Sequence, residues 1–134
     1  MINFLEILSH NRKHDTLSEA KFIGLLLSEL HKFADDKEHI NEMVDLAGSI
    51  WVETGPKAEY PFLFVAHVDT CHKPNDMPVL FKTHPDNKVR LASPEPGCLG
   101  ADDAVGIYTN LYMIEQGVKG TYLFTRGEEC GLVG

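Results

Sequence analysis

Three short groups of ionisable residues in this 134-residue chain could bind a metal ion or transfer a proton. They are His67-Val-Asp69, Asp102-Asp103 and Glu128-Glu129. An imidazole binds a metal through one ring nitrogen, and a nearby carboxylate can accept a hydrogen bond from the other nitrogen, which orients the ring. Two adjacent glutamates can divide two tasks, because one can bind a metal while the other transfers protons.

Each group also has an ordinary structural interpretation. A histidine at the end of a strand is usually a hydrogen-bonded structural residue. Aspartates favour helix N-termini, because they accept hydrogen bonds from free N–H groups and complement the helix dipole, and adjacent glutamates are common in charged turns. The chemical interpretation therefore requires a fold that brings the three groups together.

Two apolar segments and one helix would position these groups. Residues 62–66 read Phe-Leu-Phe-Val-Ala, which predicts a strand buried on both faces of a helix-covered sheet, with His67 at its end. Residues 120–125 predict a second buried strand, which ends before the glutamate pair. A glycine-rich loop precedes Asp102, which opens a helix that continues through Glu115. Because the carboxyl ends of parallel strands lie at the same edge of a sheet, the three groups could share one pocket.

The remaining segments predict elements that complete an α/β domain. The capping-box spacing of Thr16-Leu-Ser-Glu19 opens a helix with an apolar stripe from Leu17 to Phe33, which needs a core to cover. The other predicted elements are a short amphipathic helix over residues 2–10, two strands over 42–46 and 49–53, and a hairpin that pairs 79–82 with 88–92.

Composition and charge exclude several classes of function. The chain is 43% hydrophobic and 24% charged, which is typical of a globular protein. Its net charge of −8 argues against nucleic acid and anionic membrane surfaces as partners, and no apolar run reaches transmembrane length. The N-terminus has no signal-peptide pattern, and three widely spaced cysteines do not suggest disulfides, so we expect a cytoplasmic location.

One imidazole and several carboxylates in a shared pocket suit Zn²⁺, Mn²⁺ or Co²⁺. A pair of such ions, about 3.5–4 Å apart, would lower the pKa of a water held between them. Four other histidines are interpreted as surface or hydrogen-bonded helix residues: His10, His14, His31 and His39. His72 and His84 lie in a loop-rich segment, and His72 could approach the pocket because it is close to His67 in the sequence.

The motifs His67-Val-Asp69, Gly100-Ala-Asp-Asp103 and Gly127-Glu-Glu129, in this order, resemble those of the co-catalytic zinc exopeptidases. That superfamily includes peptidase T, carboxypeptidase G, and related aminopeptidases and N-acyl amino-acid deacylases. The resemblance covers the chain from about Asp45 to its end. It implies an α/β fold with a partial mixed sheet flanked by helices, zinc-exopeptidase-like (phosphorylase/hydrolase-like). It also implies that residues 1–134 form the N-terminal part of a single catalytic domain, incomplete at the C-terminus.

The resemblance implies a role for each site residue. His67 would bind the first metal, and Asp69 would orient it. Asp102 would bridge two Zn²⁺ ions, for which Mn²⁺ or Co²⁺ could substitute. Glu129 would bind the second ion, and Glu128 would act as the general base and acid. A water between the ions would then attack a peptide or N-acyl amide carbonyl, and Glu128 would pass the proton to the leaving amine.

The same resemblance implies two further ligands beyond the glutamate pair, an acidic residue and a histidine. His72, His84 or a partner chain, in a homo-oligomer or as a complementing chain, could supply them. The resemblance also implies a peptide or acyl-amino-acid substrate. Asp103 would support the site or cap the helix. The alternative is a non-catalytic metal-binding or interaction remnant, such as a pseudo-peptidase or half of a split enzyme. A nucleotide-binding α/β domain is less favoured, because residues 97–106 lack a Gly-x-Gly-x-x-Gly pattern after a strand and no phosphate-loop lysine is present.

Overall fold

The computed structural model describes residues 1–36, 40–55, 59–73, 80–83, 86, 89–92 and 98–132. The helices within these residues are α1 (Phe4–Leu8), α2 (Leu17–Asp36) and α3 (Ala101–Glu115). The strands are β1 (Ile40–Val44), β2 (Ile50–Thr54), β3 (Leu63–His67), β4 (Leu80–Thr83), β5 (Val89–Ala92) and β6 (Thr121–Thr125). In the described part of the chain, no helix combines the length and apolar character needed to cross a bilayer.

Four strands form a mixed sheet in the order β1-β2-β6-β3. Strand β2 pairs antiparallel with both β1 and β6, whereas β3 pairs parallel with β6. Strands β4 and β5 form a separate antiparallel pair, as the hairpin pattern predicted. The predicted α/β class, with a mixed sheet flanked by helices, is therefore confirmed.

One face of the sheet packs against the helices and forms the core. Val52, Tyr122 and Phe64 lie side by side across three strands on this face, and the first two are fully buried. Helix α3 packs on β3, and α1 and α2 contact α3. The helical residues buried in this core are Ile7, Leu8, Phe22, Leu26, Leu30, Phe33, Ala104, Ile107, Leu111 and Ile114.

The opposite face of the sheet is open, and this corrects one prediction. Leu63 and Val65 of β3 are 53% and 54% exposed, and Met43 of β1 is 60% exposed. The apolar run at residues 62–66 is therefore not a strand buried on both faces, because the face that carries Leu63 and Val65 is left exposed. An apolar run indicates what a strand can bury but does not indicate which element covers it.

The start of α2 confirms half of the capping box. The backbone N–H of Glu19 donates to Oγ1 of Thr16 at 3.3 Å, as predicted. The Glu19 carboxylate, however, accepts the N–H of Asp15 at 2.9 Å rather than that of Thr16. The predicted apolar stripe begins one turn late, because Leu17 is 72% exposed, and the buried stripe runs from Phe22 to Phe33.

Candidate metal and catalytic site

The predicted site residues lie where two parallel strands end. His67, the last residue of β3, is in register with Thr125, the last residue of β6, and the N–H of Val68 donates to the Thr125 carbonyl at 2.8 Å. Gly127 follows β6 in a left-handed conformation with φ of 77°, and the short 3-10 helix Glu128–Cys130 begins directly after it. The predicted shared edge is therefore present, and it brings the glutamate pair beside the histidine.

His67 is held through both ring nitrogens. Its Nδ1 lies 3.0 Å from the backbone oxygen of Asp69, and its Nε2 lies 3.0 Å from Oδ1 of Asp102. A backbone carbonyl can only accept a hydrogen bond, so Nδ1 carries the proton and Nε2 is the nitrogen available to a metal. Burial lowers the pKa of His67, but the hydrogen bonds to Asp102 and Asp69, together with the charges of Asp103 and Asp69, outweigh burial, so the pKa is raised.

Asp69 is fully buried and supports two parts of the site at once. Its backbone oxygen orients the His67 ring, whereas its carboxylate oxygen is 3.7 Å from Nδ1. The two carboxylate oxygens instead accept the backbone N–H groups of Glu128 and Glu129, each at 3.1 Å. The carboxylate, which the sequence motif suggested as the partner of the imidazole, therefore holds the glutamate pair beside it.

Asp102 and Asp103 occupy the first turn of α3 and have different surroundings. The Asp102 side chain is 85% exposed and points to His67. The Asp103 carboxylate accepts the N–H of Gly106 at 2.8 Å, so Asp103 caps the helix. A Cβ at position 106 would lie 2.3 Å from that carboxylate, which explains the glycine. The peptide bond between the two aspartates is cis.

The side chains present fit a divalent cation. His67, Glu128 and Glu129 each offer one ligand atom, and the three atoms lie within 4.8 Å of one another. Asp102 adds a carboxylate oxygen 3.0 Å from Nε2 of His67. One imidazole with several carboxylates suits Zn²⁺, Mn²⁺ or Co²⁺. The roles assigned to the individual residues stay predictions.

A second group, His14, Asp15 and Glu19, also has three potential ligand atoms close together. Arg126 already occupies it, because its guanidinium donates to both Glu19 oxygens at 3.1 and 2.7 Å and lies 3.6 Å from Asp15. The Glu19 hydrogen bonds raise the pKa of Arg126, so the guanidinium is a permanent cation in this group. The arrangement therefore indicates an ion pair between α2 and the end of β6.

The remaining histidines lie outside the candidate site where they are described. His72 is buried, its Nδ1 contacts Oγ1 of Thr70, and its ring packs against Gly100. His31 is exposed and contacts Glu42. His39 and His84 lie outside the described residues. Within the described part of the chain, the ligand group at the strand ends does not include His72.

Sequence reasoning missed a buried arginine behind the site. Arg12 is fully buried, and burial lowers its pKa to about 10, although nearby Asp103, Cys98, Asp69 and Asp102 oppose the drop. Its guanidinium donates to the carbonyls of two segments that carry site residues. Arginine is rarely buried completely, so no local pattern in residues 10–14 predicts this position.

Comparison with known proteins finds a similar fold. The chain resembles the aminopeptidase PepT from Bacillus cereus, with a TM-score of 0.67 over 98% of this chain and 20% sequence identity. The predicted α/β fold with a partial mixed sheet, similar to that of an aminopeptidase, is confirmed. The match covers 36% of the PepT chain, so this chain spans about a third of that protein's length. No protein-family model matches the sequence, and no curated protein sequence is significantly similar to it.

Proposed function

We propose that this chain contributes to a metal-dependent hydrolase that cleaves a peptide or N-acyl amide bond. The observation that carries the proposal is the convergence of His67, Glu128 and Glu129, whose ligand atoms lie within 4.8 Å of one another. The protein with a similar fold is an aminopeptidase, which supports the same class of reaction. Zinc, exopeptidase specificity and a cytoplasmic location are parts of the proposal.

Four side chains would hold the metal or act beside it. His67 would bind through Nε2, since its Nδ1 proton is committed to the Asp69 carbonyl. Asp102 and Glu129 would supply carboxylate oxygens, and Asp102 would be the ligand shared by two ions. When bound, Zn²⁺, Mn²⁺ or Co²⁺ supplies Lewis acidity, which lowers the pKa of water and polarises the substrate carbonyl.

Glu128 would move the proton. Its carboxylate is exposed beside the ligand atoms, and its backbone N–H is anchored to buried Asp69 at 3.1 Å. Glu128 would take a proton from the attacking water as the carbon–oxygen bond forms. It would return the proton to the amine nitrogen as the carbon–nitrogen bond breaks, so the products are a carboxylic acid and an amine. Asp69 would act through its neighbours, because it orients both the histidine and the glutamate turn.

The test combines a substrate panel with a matched pair of variants. Glu128→Gln removes the base, and Glu59→Gln makes the same change at an exposed position outside the site. With zinc present, release of amine from dipeptides, tripeptides and acyl amino acids should fall about 10²–10⁴-fold in Glu128→Gln only. Zinc should still raise the melting temperature of both variants, because the proposed ligands are retained. Equal turnover by the two variants would contradict the role of Glu128.

A second candidate function is a non-catalytic metal-binding or interaction remnant. The exposed residues Leu63 and Val65 favour it, because β3 lies at the edge of the sheet that the described residues form, and an apolar edge strand is suited to association with another polypeptide. Stabilisation by zinc without hydrolysis, together with dimer formation or capture of a complementing chain, would favour this function. Unchanged melting with Zn²⁺, Mn²⁺ and Co²⁺ would contradict both candidates.

A further inference from the structure

Arg12 is the largest fully buried side chain in the described part of the protein. Its guanidinium carbon lies over the Phe22 ring, 5.4 Å from the ring centroid, so the guanidinium packs on the ring. Within the described residues, the guanidinium forms hydrogen bonds with two backbone carbonyls and lies within ion-pair distance of no carboxylate. Burying a cation is costly, and the two carbonyl hydrogen bonds, together with the nearby charges of Asp103, Asp69 and Asp102, offset that cost.

The two carbonyls lie in the loops next to the proposed ligands, one directly after His67 and the other two residues before Asp102. Nη1 donates to the Val68 oxygen at 3.1 Å, and Val68 lies between His67 and Asp69. Nη2 donates to the oxygen of Gly100, which directly precedes α3 and lies two residues before Asp102. These hydrogen bonds join positions that are 56 and 88 residues away from Arg12 in the sequence.

Both ends of this connection are held by further contacts. The backbone oxygen of Arg12 accepts the N–H of Thr70 at 3.1 Å, so the arginine backbone is fixed to the loop after β3. Gly100 has a φ of 70°, and a Cβ there would lie 2.7 Å from the His72 ring, so the loop before α3 is tightly packed. The planar fork of a guanidinium can span two acceptors in one geometry, whereas a lysine ammonium is a point charge on a flexible stem.

We propose that Arg12 is a positioning residue that sets the separation of His67 and Asp102 by holding the carbonyls of Val68 and Gly100 with one guanidinium. The proposal rests on the proposed function in so far as these two residues bind the metal. Arg12 acts from behind the site. Its effect reaches the metal only through the placement of the two loops.

The test compares Arg12→Lys with a control that destabilises the core elsewhere. Arg12→Lys keeps the charge but cannot hold both carbonyls in the same way, and Leu30→Ala removes a fully buried side chain of α2. Zinc affinity is measured by competition with a chromophoric chelator under conditions where every variant is folded. We expect zinc to bind Arg12→Lys about 10–100-fold more weakly, the range found when residues that orient metal ligands are changed. We expect Leu30→Ala to bind zinc within about two-fold of the wild type, because local placement of the ligands is retained.

A second variant guards against failure of Arg12→Lys to fold. Phe22→Leu withdraws the aromatic support of the guanidinium and leaves both loops unchanged, so a smaller loss of zinc affinity is expected. Wild-type zinc affinity in Arg12→Lys would overturn the proposal. So would an equal loss of affinity in Leu30→Ala. If Arg12→Lys does not fold, wild-type affinity in Phe22→Leu overturns it.

A metal-free measurement separates this proposal from the proposed function. Without zinc, amide hydrogen exchange at Val68 and Gly106 reports on the two joined segments, since both N–H groups are hydrogen-bonded. The measured quantity is the exchange rate of each amide divided by the rate of core amides in β6. This ratio should be about ten-fold higher in Arg12→Lys than in the wild type, and unchanged in Leu30→Ala. If the wild type does not bind zinc but the exchange pattern is present, the proposed function is contradicted. The connection that Arg12 makes between the two segments is then still supported. An unchanged exchange ratio would overturn the role of Arg12.

Discussion

Replacing Asp69 with asparagine should destabilise the fold by about 2–3 kcal/mol, even without metal. The fully buried carboxylate accepts the N–H groups of Glu128 and Glu129, each at 3.1 Å. Asparagine has one oxygen, so one N–H loses its acceptor and faces an amide donor instead. Loss of one hydrogen bond to a charged group costs about 1.5–3 kcal/mol, and the bond that remains becomes neutral and weaker. Water has partial access to the glutamate turn and can replace some of the lost hydrogen bonding, so we expect a total loss of only about 2–3 kcal/mol.

Urea unfolding in EDTA measures this loss, with far-UV circular dichroism and Trp51 fluorescence as two probes. A difference of 2–3 kcal/mol in a chain of this size corresponds to a fall in melting temperature of roughly 6–15 °C. Asp15→Asn is the matched control, because it makes the same change at a side chain that is 81% exposed, and we expect little effect there. A free energy of unfolding for Asp69→Asn within about 0.5 kcal/mol of the wild type would refute the reasoning, since a change of that size is typical of a surface substitution.

Two further predictions concern His67 and two helical glycines. The pKa of His67 is raised because its hydrogen bonds outweigh burial, so in EDTA its contribution to stability is complete below about pH 6.5 and is lost as pH rises through the folded-state pKa. Urea unfolding should show this slope, of at most about 1.4 kcal/mol per pH unit, and His67→Gln should lack it; identical slopes would contradict the assignment. Gly24→Ala meets no atom within 4 Å, whereas Gly106→Ala places a Cβ 2.3 Å from the capping Asp103 carboxylate. Both variants gain helix propensity, but only Gly106→Ala disturbs the Asp103 cap. Thermal melting should therefore show Gly24→Ala to be more stable than Gly106→Ala by about 1 kcal/mol. The reverse order would contradict the role of the cap.

Local patterns were sufficient for most secondary structure. The apolar run at residues 62–66, the segment at 120–125 and the helix that continues to Glu115 all appear within a residue or two of their predicted positions. Side-chain periodicity and turn residues act over short distances, so one sequence contains them. The shared edge also followed, because parallel strands that end in polar residues bring those residues together.

Burial and hydrogen-bond partners were less predictable. The apolar residues of β3 suggested a strand covered on both faces, yet Leu63 and Val65 are exposed. The motif His67-Val-Asp69 suggested a bond between imidazole and carboxylate, yet the Asp69 backbone oxygen takes that place. A carboxylate has several potential donors within reach, and the tertiary position of the glutamate turn decides which of them it accepts.

The sequence by itself determined the α/β class, the order of most elements and the identity of the side chains that could bind a metal. The tertiary structure alone decided that the Asp69 carboxylate supports the glutamate pair and that Arg12 connects the loop after His67 with the loop before Asp102. The physical reason is distance along the chain. These contacts join residues 56 to 88 positions apart, whereas the patterns read from a sequence describe neighbours within a few turns or strand residues.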